Sequence, residues 1–429
     1  MEHGEIVKIK RFRAVRSRCY QYYKRASFWG VRTLQVALSP AVIIRIDTIY
    51  AARIGHLISE TEQVLGQVDP NLTPRRVRNI FVIPEFVCNG FLLEKYIELL
   101  RQMPNTTVCH SKFGGRFSPL AFAGGETRGR VFTGAESDRW YCGPRTDGGQ
   151  FMANEPLPLK PSLSFSAEFT LEGSRILESV GFTLERPLVC LHIRDSAYLR
   201  ESQPRGGDWS YHDYRDPLIG PYEELARYLL NEGYSVVRTG NVADKRMCIE
   251  DPNFLDYPFS NVKSDLMDVV LYSVCNFAVS GGLSGIDQLP MLMRKPVVVC
   301  DLSQLFLPTY RRDLSILIFS RMRWRDSGID LTLRESLNNV YFTSDEFNAA
   351  GIELVRNSAQ ELIEATQELI SLGGGEVEIS GVRPSREESF WKIFGEKNQA
   401  LACTTSSPEF FPRIGWGFLQ RHAEALDLE

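Results

Sequence analysis

The sequence predicts an α/β protein with parallel sheets, organised in two domains. Apolar segments of strand length alternate with amphipathic segments of helix length in both halves of the chain, an order typical of parallel sheets. A stretch with Pro156, Pro158 and Pro161 separates the two halves and is typical of an interdomain linker. The chain has 429 residues, which is more than one hydrophobic core usually supports.

The first half contains two strand–helix pairs. Gly55 permits a tight turn before the first of the two helices. From about Pro104 to Pro161, glycine, proline, arginine and aromatic residues replace the periodic pattern, which predicts irregular structure. We assign residues 41–160 to an N-terminal α/β domain. Its predicted strands are 41–46 and 78–84, and its predicted helices are 58–65 and 90–103.

The second half repeats the alternation more regularly. Pro221 begins one predicted helix and Gly233 ends it, the usual placement of these residues. We assign residues 168–371 to a C-terminal α/β domain, joined to the first near 155–168. The tail, residues 372–429, is expected to pack back on the N-terminal domain. The predicted helices are 169–180, 221–233, 264–275 and 358–370; the predicted strands are 186–193, 234–240, 276–285 with its glycine-rich end, and 295–301.

Composition and charge exclude several classes of protein. Apolar residues make up 43% and charged residues 24% of the chain, as in soluble globular proteins. The net charge of −4 gives no reason to expect nucleic-acid binding. The nine cysteines form no CxxC pair, and several lie in apolar strands, which favours reduced thiols in the cytoplasm over disulfides or a metal site. No apolar stretch is long enough to span a membrane, and no signal core follows the N-terminus.

The first 40 residues form a basic and aromatic arm. No acidic residue lies between Glu5 and Asp47, whereas ten Lys and Arg residues do, interleaved with Tyr, Phe and Trp. Such a segment is expected to lie on an anionic membrane, which makes residues 8–32 a candidate peripheral anchor on the inner face. A solvated basic arm that packs on an acidic face of its own protein is the alternative.

Unusual polar residues follow three predicted strands of the second half. His192, Arg194 and Asp195 end the strand that begins at Arg186, and "RTG" ends the strand 234–240. The sequence "SGGLSG", residues 280–285, follows a third strand. Because ligands of open α/β sheets bind at the carboxyl ends of the strands, we expect these three groups to form one site.

These residue types suit a nucleotide diphosphate. Arginine presents paired donors to phosphate oxygens, and a glycine-rich turn lets backbone N–H groups approach them. Neither a P-loop lysine nor the first-strand GxGxxG pattern is present. Each residue by itself also has a structural explanation, so the prediction rests on their joint occurrence. The predicted donor-binding residues are Arg194, Arg238, Gly240, Ser280, Gly281, Gly282, Ser284 and Gly285.

The motifs resemble those of a known family. "LHIRDSAY", "YHDYRD", "GYSVVRTG", "SDLMDVVLYSVCNFAVSGGLSG" and "KPVVV", with "RIGHLISETE" and "RIGWGFLQ" near the two ends, are similar to bacterial glycosyltransferases that occur with surface-polysaccharide genes. The HxR element and the late SGxxSG turn are also distantly similar to the donor half of fucosyltransferases. In those enzymes a second basic residue often follows the arginine, and Asp195 stands there in this chain.

The resemblance implies a GT-B fold: two Rossmann-like domains that face a cleft. The C-terminal domain would bind a nucleotide-sugar donor as co-substrate, and the N-terminal domain a glycan, lipid-linked or protein acceptor. No metal or other cofactor is expected. Arg194 would contact the leaving diphosphate and not pair with Asp195, since neighbours on a strand point to opposite faces. His56, His192 and Asp195 all remain candidates for the general base. A sugar-nucleotide epimerase and a non-catalytic glycan-binding or sugar-nucleotide-binding protein remain alternatives.

Overall fold

The computed structural model describes two compact units, Met1–Cys142 and Gly143–Glu429, and each is taken by itself here. The predicted junction near 155–168 is described only from Ser162 onward and stays a prediction. The described residues are 41–49, 51–67, 77–83, 86–110, 162–182, 184–202, 209–303, 314–339, 341–373, 383–397 and 412–428, with isolated positions at 30, 33, 34, 37 and 38.

The described part of the first unit is a parallel sheet with two helices. The strands lie in the order β1–β2–β3, and both pairings are parallel. The sequence did not predict β3, because its five residues have no clear periodicity and follow Pro104. The strands are β1 (Ile43–Thr48), β2 (Val77–Ile83) and β3 (Thr106–His110); the helices are α1 (Ile54–Gln67) and α2 (Gly90–Gln102).

Helix α2 shows how local sequence determines an element of this unit. Asn89 caps its N-terminus by accepting a hydrogen bond from the Leu92 backbone N–H at 2.8 Å. Apolar residues three and four apart then line one buried face. On that face, the Tyr96 hydroxyl donates to the buried Glu62 carboxylate at 3.0 Å, which joins α2 to α1.

The second unit is built on a seven-stranded parallel sheet. Its strand order is β12–β9–β8–β7–β4–β5–β6, and every pairing is parallel. Strands β10 and β11 form a separate antiparallel hairpin. The strands are β4 (Leu188–Ile193), β5 (Ser235–Thr239), β6 (Phe254–Asp256), β7 (Phe277–Gly281), β8 (Val297–Leu302), β9 (Ser315–Phe319), β10 (Arg321–Trp324), β11 (Ile352–Val355) and β12 (Arg413–Ile414).

Helices cover this sheet, and the central strands are buried over their whole length, which explains their nearly continuous apolar sequences. The helices are α3 (Ala167–Glu178), α4 (Ala197–Ser202), α5 (Ile219–Asn231), α6 (Asp265–Val274), α7 (Gln288–Leu292), α8 (Leu333–Asn338), α9 (Ser344–Ala349), α10 (Ala359–Gly373), α11 (Arg383–Lys397) and α12 (Trp416–His422). Short 3-10 helices occupy Ser210–Arg215, Tyr257–Phe259 and Gly285–Asp287.

The described elements therefore confirm the predicted α/β class with parallel sheets. The predicted strands and helices of the second half are all present, with their ends moved by a few residues. The sequence analysis did not resolve β9, the β10–β11 hairpin or the short helices α8 and α9. These elements are four to six residues long, too short for a periodic pattern to identify.

Residues 412–428 of the tail belong to the second unit. Strand β12 pairs with β9 as an edge strand of the seven-stranded sheet. The expected packing of the tail on the N-terminal domain stays a prediction. Helix α12 then packs on α10, where His422 Nε2 lies 2.6 Å from the Glu361 carboxylate and both side chains are buried. Burial opposes ionisation, but hydrogen bonds from His422 and Ser358 lower the pKa of Glu361 to about 2. This buried pair fixes the tail to its own unit.

The sequence analysis made two predictions about membranes, a peripheral anchor and the absence of a spanning segment. Of the candidate anchor, residues 8–32, only Gly30 is described. Among the helices that the structure describes, none is long and apolar enough to cross a membrane.

Candidate functional site

The strand order creates a crevice between β4 and β7. From β4 the chain continues to β5 and β6 on one side, and it then returns to β7, β8 and β9 on the other. Such a reversal is the position at which open α/β sheets bind ligands, beyond the carboxyl ends of the strands. Here the two strands remain joined beyond β4, because the Arg194 backbone N–H donates to the Gly281 carbonyl at 3.0 Å.

Arg194 stands directly at this crevice. Its side chain is 10% exposed, and its Nη1 donates to the Asp216 carboxylate and to the His212 carbonyl oxygen, the latter at 3.3 Å. Asp195 is not its partner, as predicted from the alternation of side chains. Both bonds use Nη1, so Nε and Nη2 bind no residue that the structure describes. The guanidinium thus keeps donors for a ligand.

The glycine-rich turn is shaped by close packing. A Cβ at Gly281 would overlap the Tyr222 hydroxyl, which lies against the turn. Gly282 has φ +87°, and a Cβ there would overlap the Arg215 carbonyl oxygen and approach the Arg194 Cβ to 3.0 Å. Both glycines are therefore required by their neighbours, so their presence is not by itself evidence for a phosphate.

Asp287 already engages two of the predicted donors in the turn. The Ser280 hydroxyl is buried and donates to one oxygen of this carboxylate. The Ser284 backbone N–H donates to its other oxygen at 3.0 Å. The expectation that Ser280 contacts a ligand does not fit this placement, because its hydroxyl is bonded inside the sheet. Gly285, which begins the following 3-10 helix, is exposed and stays a candidate contact.

His192 is buried one layer below Arg194. Its Nδ1 lies 3.3 Å from the Thr239 carbonyl oxygen, which makes Nδ1 the protonated nitrogen, and its buried Nε2 has no hydrogen-bond partner among the described residues. Burial, together with the charges of Arg238 and Arg194, lowers the pKa of His192 to about 4. The imidazole is therefore neutral at pH 7. Gly240, with φ +134°, places its backbone beside the ring.

Arg238 is held by bonds to its neighbours. It is almost completely buried: its Nη1 donates to the Lys245 carbonyl oxygen at 2.6 Å and to Asp256 at 3.4 Å. Its Nη2 lies 4.0 Å from Asp195. These internal bonds favour a structural role for Arg238, and its predicted contact with the diphosphate stays a prediction.

Asp195 forms internal hydrogen bonds of its own. Its carboxylate accepts from the Ala197 backbone N–H and from the Asp244 backbone N–H, both at 2.9 Å. These bonds start helix α4 and tie it to the loop after β5. The remaining predicted base, His56, lies in the first turn of α1 in the other unit.

Two arginines near Arg194 were missed by the sequence analysis. Burial, together with the positive charges of Arg215 and Arg356, lowers the pKa of Arg194 to about 10. Arg356 follows β11, and its Nη2 donates to the Tyr214 carbonyl oxygen at 2.5 Å. The charges of Arg215 and Arg356 therefore both reach Arg194 at this edge of the sheet. Like charges gathered in this way favour an anionic ligand.

Asp301 organises the packing beneath these arginines. It lies within the buried strand β8, has φ +52°, and accepts a hydrogen bond from the Tyr222 hydroxyl at 2.8 Å. It also exchanges hydrogen bonds with Asn357, at 2.7 and 2.8 Å. Burial raises the pKa of Asp301. A carboxylate directly after "VVVC" was the signal in the sequence that could have identified it.

Comparisons with known proteins do not assign the chain to a family. No family model and no curated protein matches it. Among solved structures, it is similar to ADP-heptose LPS heptosyltransferase II of E. coli, with 19% identity, TM-score 0.38, 65% of this chain and 90% of that one covered. A family 9 glycosyl transferase from Veillonella parvula shows 12% identity and TM-score 0.42 over 78% of this chain and 99% of that one. Both TM-scores are low, so function is inferred from the residues of the site.

Proposed function

We propose that the chain is a glycosyltransferase with a GT-B fold that binds the diphosphate of a nucleotide-sugar between the ends of β4 and β7. The placement of Arg194 carries the proposal. It lies at the reversal of strand order, keeps unbonded N–H groups there, and is close enough to Arg215 and Arg356 for their charges to lower its pKa.

Such a site suits the chemistry of glycosyl transfer. Negative charge grows on the leaving diphosphate as its bond to the sugar breaks, so fixed cations stabilise the transition state more than the bound substrate. Arg194 is held in place by Asp216 and the His212 carbonyl before any ligand arrives. Its remaining donors then need little rearrangement to reach phosphate oxygens.

The surroundings of His192, Asp195 and His56 differ in how well they suit a general base. His192 has a pKa of about 4 and an enclosed Nε2, which make it a weak and inaccessible base at neutral pH. The Asp195 carboxylate already accepts two backbone N–H bonds. His56 belongs to the other unit and stays a candidate for the general base. By the resemblance of the motifs, the acceptor is a glycan, a lipid-linked sugar or a protein in surface-polysaccharide synthesis, and residues 8–32 hold the enzyme at the membrane.

Nucleotide release tests this proposal. ADP, GDP, UDP, CDP and dTDP are first titrated into the protein by calorimetry, and sugar derivatives of the nucleotide that binds are then supplied with and without candidate acceptors. If the protein transfers the sugar, free nucleoside diphosphate should appear only when acceptor is present. Conversion of the sugar without acceptor would instead indicate an epimerase, and binding without any turnover would indicate a non-catalytic protein.

A further inference from the structure

Three aromatic rings lie against one another at the same edge of the sheet. They belong to Trp209, Tyr211 and His212, at the start of the 3-10 helix Ser210–Arg215. The Trp209 and His212 rings are nearly parallel, at 10° with centroids 6.3 Å apart, and Tyr211 lies 4.1 Å from His212 and 5.9 Å from Trp209. All three side chains are only partly buried.

The three rings lie outside the buried cluster that anchors their helix. The 3-10 helix is anchored by Tyr214, which is 8% exposed and packs into a buried cluster with Met322, Phe347 and Ile352. Among the residues that the structure describes, the three rings are not members of that cluster. Large aromatic side chains normally stabilise a fold by being buried away from water. Three aromatic side chains that remain partly exposed next to one another therefore indicate a surface for a ligand.

The three rings are joined directly to the proposed diphosphate site. Arg194 Nη1 donates to the His212 carbonyl oxygen at 3.3 Å and also pairs with Asp216, at the other end of the 3-10 helix. If the diphosphate of a molecule binds Arg194, the groups attached to that diphosphate would therefore lie within reach of the rings. A nucleobase has a flat π face that can pack on such rings, and base–aromatic stacking is a common source of nucleotide affinity.

We propose that Trp209, Tyr211 and His212 form a stacking platform for the nucleobase of the ligand whose diphosphate binds at Arg194. The inference rests on the proposed function, since it takes the ligand to be a nucleotide. Stacking is tolerant of base identity, so the platform supplies affinity for the nucleotide while other groups select the base.

The test compares two probes on the same variants. Tyr211→Ala should weaken binding of the nucleoside diphosphate that binds the wild type by about 5- to 150-fold, the equivalent of roughly 1–3 kcal/mol per stacked base. Inorganic pyrophosphate, which has no base, should bind Tyr211→Ala and the wild type equally. Tyr211→Phe should recover most of the lost affinity, and Tyr211→Leu, which keeps bulk without a ring, should not.

Tyr234→Ala is the matched control. Tyr234 also makes an aromatic contact, with Phe277 at 5.5 Å, but it precedes β5 at the amino edge of the sheet, so nucleotide affinity should not change. An equal loss of pyrophosphate and nucleotide binding in Tyr211→Ala would overturn the platform, because the rings would then only support Arg194. Unchanged nucleotide affinity would also overturn it, and would leave the proposed function intact. If none of the five nucleoside diphosphates binds the wild type, the proposed function fails and this inference fails with it.

Discussion

The Arg194 backbone N–H donates to the Gly281 carbonyl oxygen at 3.0 Å, one residue beyond the end of β4. This bond holds together the two strands at which the sheet reverses its order. It places the Arg194 side chain above a turn that Tyr222 and Arg215 approach too closely for any residue but glycine. Substitutions can distinguish the residues that shape this crevice from those that would contact a ligand within it.

Replacing Arg194 with lysine tests the proposed diphosphate contact. Lysine keeps the charge but not the planar set of donors, so nucleoside diphosphate binding should weaken by about 1–3 kcal/mol while the fold persists. Calorimetry gives the affinity, and thermal unfolding gives the stability. Arg334→Lys is the control, since Arg334 forms an exposed pair with Glu396 at 2.6 Å. Unchanged affinity in Arg194→Lys would show that the diphosphate binds elsewhere.

Replacing Gly282 with alanine tests the packing of the turn. Gly282→Ala should lower the free energy of unfolding by roughly 2–5 kcal/mol, because a positive φ and overlap with the Arg215 carbonyl both oppose the methyl group. Gly233→Ala provides the comparison: Gly233 has nearly the same φ, +86°, but open space around it, so the loss should be about 1–2 kcal/mol. Equal losses in denaturant unfolding would show that contact with Arg215 contributes nothing.

Replacing Arg238 tests whether its role is structural or lies in ligand binding. Arg238→Met should cost about 3–5 kcal/mol of stability, because Asp256 would lose its buried counter-charge. Arg200→Met, which removes a half-exposed pair with Asp244, should cost about 1 kcal/mol or less. Both are measured by urea unfolding. A stable Arg238→Met protein that no longer binds nucleotide would instead support the predicted direct contact.

The neutral state of His192 predicts a pH dependence. Its pKa is about 4 in the folded protein and near 6.5 when unfolded, so the unfolded chain binds the extra proton between these values. Stability should therefore fall as pH decreases from about 6.5 to 4, by at most about 3 kcal/mol. His192→Gln should remove this component, whereas His110→Gln, at an exposed position, should keep it. An unchanged slope in His192→Gln would show that His192 titrates normally.

Metal removal tests the proposed role of the arginines. If guanidinium groups neutralise the leaving diphosphate, a chelator such as EDTA should leave the rate of nucleotide release unchanged. Added Mg²⁺ or Mn²⁺ should not raise the rate. Loss of activity in EDTA that a divalent cation restores would contradict the proposal.

The order of residues along the chain was enough to predict the class of fold and to indicate where a candidate site lies. Apolar segments such as Leu188–Ile193 and Val297–Leu302 identify buried parallel strands, because burial on both faces leaves few other residue types possible. The charged residues that follow them must lie at the carboxyl edge, since every strand of the sheet runs in the same direction.

Long-range packing, which the sequence does not show, separates the enclosed residues among them from those that can face a ligand. Arg194 and Arg238 both lie at the carboxyl end of an apolar strand. Arg194 follows β4, which borders the reversal of strand order. Arg238 lies in β5 beside β6, where the carboxylates of Asp195 and Asp256 enclose it. Arg215 and Arg356 are 141 positions apart, since 356 − 215 = 141, and no local pattern relates them. Their charges meet at Arg194 because the β10–β11 hairpin and the 3-10 helix pack on one buried cluster, a long-range contact that local periodicity cannot express.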